Sequence, residues 1–245
     1  MHCPKCQQPR DAQRLDCPHC GIVFSKYAQY LERQAELADA IAETQTVPSL
    51  AARLRQRLLT PPETGAFWYG RALLWALFVL WSLSFILRDI ASLGDAPGFL
   101  HNVNLPFHEA GHVVFGIFGQ FIGSLGGTLG QLLMPAVAMF ALLRQRDTFG
   151  ASLCFWWFGQ NFLDIAPYLA DARAGQLPLI GGNFGHSAPY GFHDWQYLLT
   201  ETGLLQYDQG LALLCLNLGR ILMLLSLAWG AYLLWKSRPQ GLISG

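Results

Sequence analysis

Two histidines and a glutamate carry the densest chemistry in the chain, in the order His108-Glu109-Ala110-Gly111-His112. The pattern is HExxH. On a helix, residues four apart share a face, so both imidazoles can bind one metal ion. Glu109 lies one residue round from His108, placed to take a proton from the water such a metal activates. The flanks, Phe107 and residues 113–118, are apolar on all sides, which puts this helix in a protein core or in lipid. The bland alternative is a pair of buried imidazoles that merely satisfy hydrogen bonds. Three ionisable groups inside an apolar segment are costly unless they have a task, and that favours a metal site.

A second constellation lies at the start of the chain. Cys3-Pro-Lys-Cys6 and Cys17-Pro-His-Cys20 are two Cys-x-x-Cys knuckles ten residues apart, with Gly21 after the second. Four thiolates suit a closed, tetrahedral structural zinc. A pair of disulfides would need an oxidising compartment, and the basic residues that follow argue for the cytosol. The knuckles resemble the small zinc ribbons at the ends of many bacterial chains. A ribbon this small folds only with its metal. Four thiolates leave no open position, so its expected role is structural or the binding of a protein partner.

The remaining sequence must position these groups. Of the 245 residues, 52% are apolar and 13% charged, with eight Trp and sixteen Phe. Soluble domains carry roughly a quarter charged residues, so this is the composition of a membrane protein. The formal net charge is zero and gives no reason to expect nucleic acid. A polar, Cys-rich segment stands where a secretory signal would be, so insertion falls to the first apolar span. Residues 25–45 read as an amphipathic helix that Pro48 breaks. Residues 50–59 pair Arg53, Arg55 and Arg57 with Leu50, Leu54, Leu58 and Leu59, as a solvated helix or as a basic helix on anionic lipid. Pro61, Pro62 and Gly65 end this polar part.

Five apolar runs follow, at residues 67–87, 105–122, 125–143, 149–170 and 211–235. If all five cross, with the basic N-terminal part inside, Arg144, Arg146, Lys236 and Arg238 fall outside, against the positive-inside rule. The HExxH run has only fourteen residues before a glycine-rich stretch, against the ~20 a span needs. A re-entrant half-helix turning at Gly119, Gly123, Gly126 and Gly127 removes both violations, and such backbone is tolerated where protein buries it. The expected fold is an all-α integral membrane protein with four or five membrane helices, the HExxH helix re-entrant in the preferred version, plus the ribbon.

A catalytic zinc takes three protein ligands and a water. Asn161, Asp164, Tyr168 and Asp171 form one continuous face of the fourth run, and a polar stripe on such a helix faces the protein interior. Asp164 is the expected third ligand. Asp171 and His193, the latter from the loop that also holds His186 and Asp194, are the alternatives.

The HEAGH run and the later Asn- and Asp-bearing helix resemble the site-2 protease group of membrane-embedded metallopeptidases. There, HExxH sits on one membrane helix and a later helix carries an Asn, a Pro and an Asp that completes the zinc site. His108, Glu109 and His112 match fully. Asn161, Pro167 and Asp171 keep the order of the second motif, with a different spacing and with Ala172 where the family has Gly. The resemblance covers residues 100–172.

The domains expected are a zinc ribbon at 1–24, an amphipathic helical linker at 25–66 and a metallopeptidase-like membrane domain at 67–245. The resemblance implies zinc-dependent cleavage of membrane protein substrates in the bilayer. Zinc would be held by His108, His112 and Asp164, Glu109 would be the general base, and Asn161 would bind substrate backbone or the oxyanion. Two zinc ions are expected, one catalytic and one held by Cys3, Cys6, Cys17 and Cys20. The expected location is a bacterial inner membrane with the N-terminus in the cytosol. The competing readings are a zinc hydrolase acting on a lipid or another amide, and a zinc-binding membrane scaffold without activity.

Overall fold

The computed structural model describes residues 1–11, 13–46, 49–61 and 67–239. Pro48, Pro62 and Gly65, read above as breaks, lie outside the described residues. The chain forms two compact units, Met1–Arg55 and Gln56–Gly245. Helix supplies the regular secondary structure of the described residues, with three isolated bridges beside it.

The first unit contains the two Cys knuckles and helix α1 (Phe24–Thr46). The knuckles repeat one geometry at an interval of fourteen residues. Cys3 N–H donates to the Gln8 carbonyl and Cys17 N–H to the Ile22 carbonyl, both at 2.9 Å. Bridges His2–Pro9 and Asp16–Val23 close them in the same way. Each turns on a residue of positive φ just past its second Cys, Gln7 at 61° and Gly21 at 73°. Glycine takes that conformation without strain, which explains the Gly after the second knuckle. The Arg10 guanidinium lies 4.1 Å over the Phe24 ring, between the knuckles and α1. Helix α2 (Leu50–Leu59) follows, with no buried residue, and the boundary between the units falls within it.

The second unit holds α3 (Trp68–Ile86), α4 (Ile90–Asp95), α5 (Phe99–Phe115), α6 (Gln120–Arg144), α7 (Thr148–Ala170), α8 (Asp194–Glu201) and α9 (Asp208–Lys236). Three helical segments among the described residues are long and apolar enough to cross a membrane: α3, α6, and α9 with the short turn before it. Their outer faces carry exposed Leu73, Leu77 and Leu80 on α3 and Leu214, Ile221 and Leu225 on α9. Aliphatic stripes of this extent belong in hydrocarbon.

Helix α7 is the central element. It has 23 residues, and most of one long face, from Thr148 to Ala170, is buried. Trp156 fills the middle of the core against Phe78, Trp81 and Phe85 of α3, and its Nε1–H donates to Ser82 Oγ at 2.6 Å. Against α9 the packing is closer. A Cβ at Gly159 would stand 2.9 Å from Met223 N, and Ser226 Oγ donates to the Ser152 carbonyl at 2.5 Å. Small residues that let backbones approach are the usual means of joining helices in lipid. The indoles of Trp68 and Trp75 tie α3 to α9 by donating to the Leu234 and Leu227 carbonyls at 2.9 and 3.0 Å.

The glycine-rich stretch after HExxH has a different use from the one expected. Chain reversal occurs earlier, in a short 3-10 turn at Gly116–Phe118 followed by Gly119 at φ 97°. Gly123, Gly126, Gly127 and Gly130 are helical and lie within α6. They form the face that packs on α5. A Cβ at Gly126 would stand 2.7 Å from the Gly111 carbonyl oxygen, and one at Gly130 would meet the Phe107 carbonyl. The contacts Gly116–Gly123, Gly111–Gly126 and Phe107–Gly130 run in opposite directions along the two helices, so α5 and α6 form a tight antiparallel hairpin.

Candidate metal centre

The α5–α6 hairpin fixes the two imidazoles. His108 Nδ1–H donates to Gln131 Oε1 at 2.8 Å, and His112 Nδ1–H donates to the Gly123 carbonyl at 2.8 Å. With the protons on Nδ1, both Nε2 lone pairs are free, and anchoring of this kind is the usual support of a metal-bound histidine. Gly127 makes room for the rings, since a Cβ there would lie 2.6 Å from His112 Nε2 and closer still to His108 Nε2.

Both Nε2 atoms face one carboxylate oxygen, Asp194 Oδ2, at 3.1 Å from His108 and 3.3 Å from His112. Three lone-pair donors converge with no hydrogen between them in this tautomer. A positive charge between them, either a metal cation or the Nε2 proton of an imidazolium, holds such a cluster together. Tetrahedral coordination with bonds of 2.0–2.1 Å has an edge of about 3.3 Å, the separation found here. Two imidazoles and a carboxylate, each oriented from behind, therefore fit a divalent cation. A Glu109 carboxylate oxygen lies within 4.8 Å of a ring nitrogen of each histidine. Glu109 itself is exposed to a cavity of about 680 Å³ that His101, His108, His112, Asp164, Tyr168 and Asp194 also line.

Asp194 is the residue at this candidate site that the sequence did not point to. It is the first residue of α8, where the free N–H groups and the helix dipole favour a carboxylate. His193 caps this helix by accepting the Gln196 N–H on Nδ1 at 3.2 Å. Tyr168 holds Asp194 from α7: the Asp194 N–H donates to the Tyr168 hydroxyl at 3.0 Å. The Tyr168 ring in turn stacks on His193, with centroids 4.2 Å apart and planes 25° apart. The one sequence signal for it was an Asp after a polar loop at a helix start, and that pattern is common.

The sequence-derived candidates for third ligand have other partners. Asp164 Oδ1 accepts from His101 Nδ1 at 3.0 Å and its Oδ2 from Asn104 Nδ2 at 3.0 Å. Asp171 accepts the backbone N–H groups of Gln176 and Leu177 at 2.8 and 2.9 Å and so ties down the loop after α7. The His193 Nε2 faces Asp171 Oδ2 at 3.5 Å, and the ring is 1% exposed. Asn161 is fully buried, donates to the Trp157 carbonyl in its own helix at 3.0 Å, and is not among the residues that line the cavity. The polar stripe of α7 is real, but it serves a hydrogen-bond network with α5 and the loop tether. Arg220 reaches the Arg88 carbonyl and Asn217, capping the loop after α3.

In the first unit, Cys3, Cys6, Cys17 and Cys20 bring their sulfurs together, with Sγ–Sγ separations of 3.7 Å for Cys3–Cys20 and for Cys6–Cys17. Disulfide sulfurs are separated by about 2.05 Å. The observed spacing is instead close to the ~3.8 Å edge of a tetrahedron with metal–sulfur bonds of 2.3 Å. Burial works against the Cys3 thiolate, but hydrogen bonds from the Cys6 and Lys5 N–H groups and from the Cys6 and Cys17 thiols together bring its pKa down to about 6. At Cys20 the Ile22 N–H is outweighed by burial and the neighbouring sulfurs, which push the pKa up to about 12. This cluster, too, can hold a metal ion.

No protein-family model, curated protein or solved structure matches the chain.

Proposed function

We propose that the chain is a membrane-embedded, zinc-dependent peptidase whose metal ligands are His108, His112 and Asp194. The observation that carries this reading is the convergence of two back-anchored imidazoles and one carboxylate oxygen beside Glu109, in an open cavity. The donor set suits zinc, and a zinc ion held there supplies Lewis acidity toward a carbonyl and lowers the pKa of water. Glu109 takes the proton of the attacking water and passes it to the departing amine. Gln131 and Gly123 keep the imidazoles in the tautomer that presents Nε2. Cys3, Cys6, Cys17 and Cys20 hold a second, structural zinc.

The substrate class follows from where the cavity lies. Thr148 and Lys236, from α7 and α9, donate to the Thr60 and Leu59 carbonyls at one end of the helices. Arg71, Arg144 and Arg146 belong to that same end, where Arg71 pairs with Asp147 at 3.8 Å. By the positive-inside rule this end faces the cytosol. The metal ligands meet the first turns of α6 and the last turns of α7, so the cavity opens toward the opposite face of the bilayer. With α7 as the fourth span, the substrates are membrane protein segments reached from that side.

The test compares membranes holding the wild-type chain with membranes holding Glu109→Gln. The variant should keep its zinc and lose cleavage, so protein fragments present with wild type disappear. Unchanged fragments, or a difference confined to lipids, would overturn the peptidase reading.

A further inference from the structure

Tyr168 is placed to do more than support Asp194. Its hydroxyl oxygen already accepts the Asp194 N–H at 3.0 Å, so its own hydrogen must point elsewhere. Among the described residues its nearest acceptor is Asp194 Oδ2, at 3.5 Å. That is the oxygen lying 3.1 and 3.3 Å from the two imidazole nitrogens. A hydrogen bond of 3.5 Å is weak, and an oxygen bound to a divalent cation has little acceptor strength left. The phenol therefore carries a poorly used donor, one contact from the point where the three ligand atoms converge. The donor lines the same cavity as Glu109. It is also rigid: the ring stacks on buried His193 at 4.2 Å and stands 6.2 Å, centroid to centroid, from His108.

We infer that Tyr168 is a catalytic residue, the donor that stabilises the oxyanion formed when a carbonyl is attacked at this site. The inference rests on the proposed metal site. In the ground state the phenol O–H meets a carbonyl oxygen, and as the carbon becomes tetrahedral the same hydrogen bond strengthens toward the developing negative charge. The proton stays on the phenol throughout, so Glu109 remains the only group that exchanges one. The role assigned to Asn161 from the sequence is thereby given to a residue seven positions later on the same face of α7. Because the hydroxyl is fixed by an N–H bond from behind, little reorganisation is needed when charge develops.

The probe is acetohydroxamate, titrated calorimetrically into the full-length, zinc-loaded protein in detergent, with zinc counted on the same samples. Wild type and Tyr168→Phe are compared; phenylalanine keeps the stack on His193 and removes only the hydroxyl. Tyr168→Phe should retain two zinc ions and bind acetohydroxamate about 10- to 100-fold more weakly, the range expected when a charge-assisted hydrogen bond is lost. Equal affinities would overturn the inference. Loss of one zinc from Tyr168→Phe would also overturn it, since the hydroxyl would then act only by holding Asp194. Wild type with a single zinc and no hydroxamate binding would bring down the metal site itself, a result distinct from both.

Discussion

Asp194 Oδ2 lies 3.1 Å from His108 Nε2, although 86 positions separate the two residues in the chain. One belongs to the helix that opens the site and the other to the first turn of a short helix beyond the longest loop. The contact is made by the fold as a whole. Helices α5 and α6 set the imidazoles, α7 supplies Tyr168, and the loop tied by Asp171 delivers α8.

The anchors behind the imidazoles should govern metal affinity. Replacing Gln131, which is 5% exposed, by Leu removes the acceptor for His108 Nδ1–H and frees the ring to turn. Zinc affinity at this site, measured by competition with a chelator, should fall roughly 10- to 100-fold. Glu109→Gln measured in parallel should show no such fall.

Gly127→Ala separates two opposed effects. In a helix interior the change gains about 1 kcal/mol of propensity. The new Cβ, however, would stand 2.6 Å from His112 Nε2, where the rings cannot give way without abandoning their anchors. The expected outcome is a variant that still folds and inserts but has lost the zinc of the α5 site. Metal analysis beside a helicity measurement by circular dichroism checks it.

The two metal sites should be independent, since the cysteines and the histidines lie in separate compact units. Cys3→Ser should remove one zinc and expose the first unit to protease, because a metal held by the four sulfurs would supply most of the folding energy of so small a cluster. Zinc at the His108 site should be unchanged. Loss of both ions on this one substitution would contradict the assignment.

The parts of this site that were legible in the sequence are those set by a local period. His108 and His112 share a face because a helix repeats every 3.6 residues, and the four cysteines announce themselves by spacing. The glycines after HExxH were legible only in part. Glycine serves both reversal and close packing, and composition does not tell them apart. Only Gly119 has the positive φ of a turn, while Gly126 and Gly130 are packing residues. The carboxylate that meets the imidazoles was hidden for a different reason. The stripe on α7 gives Asp164 every local mark of a ligand, and the structure spends that carboxylate on His101 and Asn104. What recommends Asp194 is tertiary: the tether from Asp171, the cap from His193 and the hydroxyl of Tyr168; the stripe on α7 shows Tyr168 and Asp171, but no local period shows that they converge on Asp194.

The most direct measurement is the number of zinc ions bound per chain by wild type, Asp194→Asn and Asp164→Asn, each purified in detergent without added metal. The account predicts two, one and two. An Asp194→Asn protein that keeps both ions, or an Asp164→Asn protein that loses one, would contradict it.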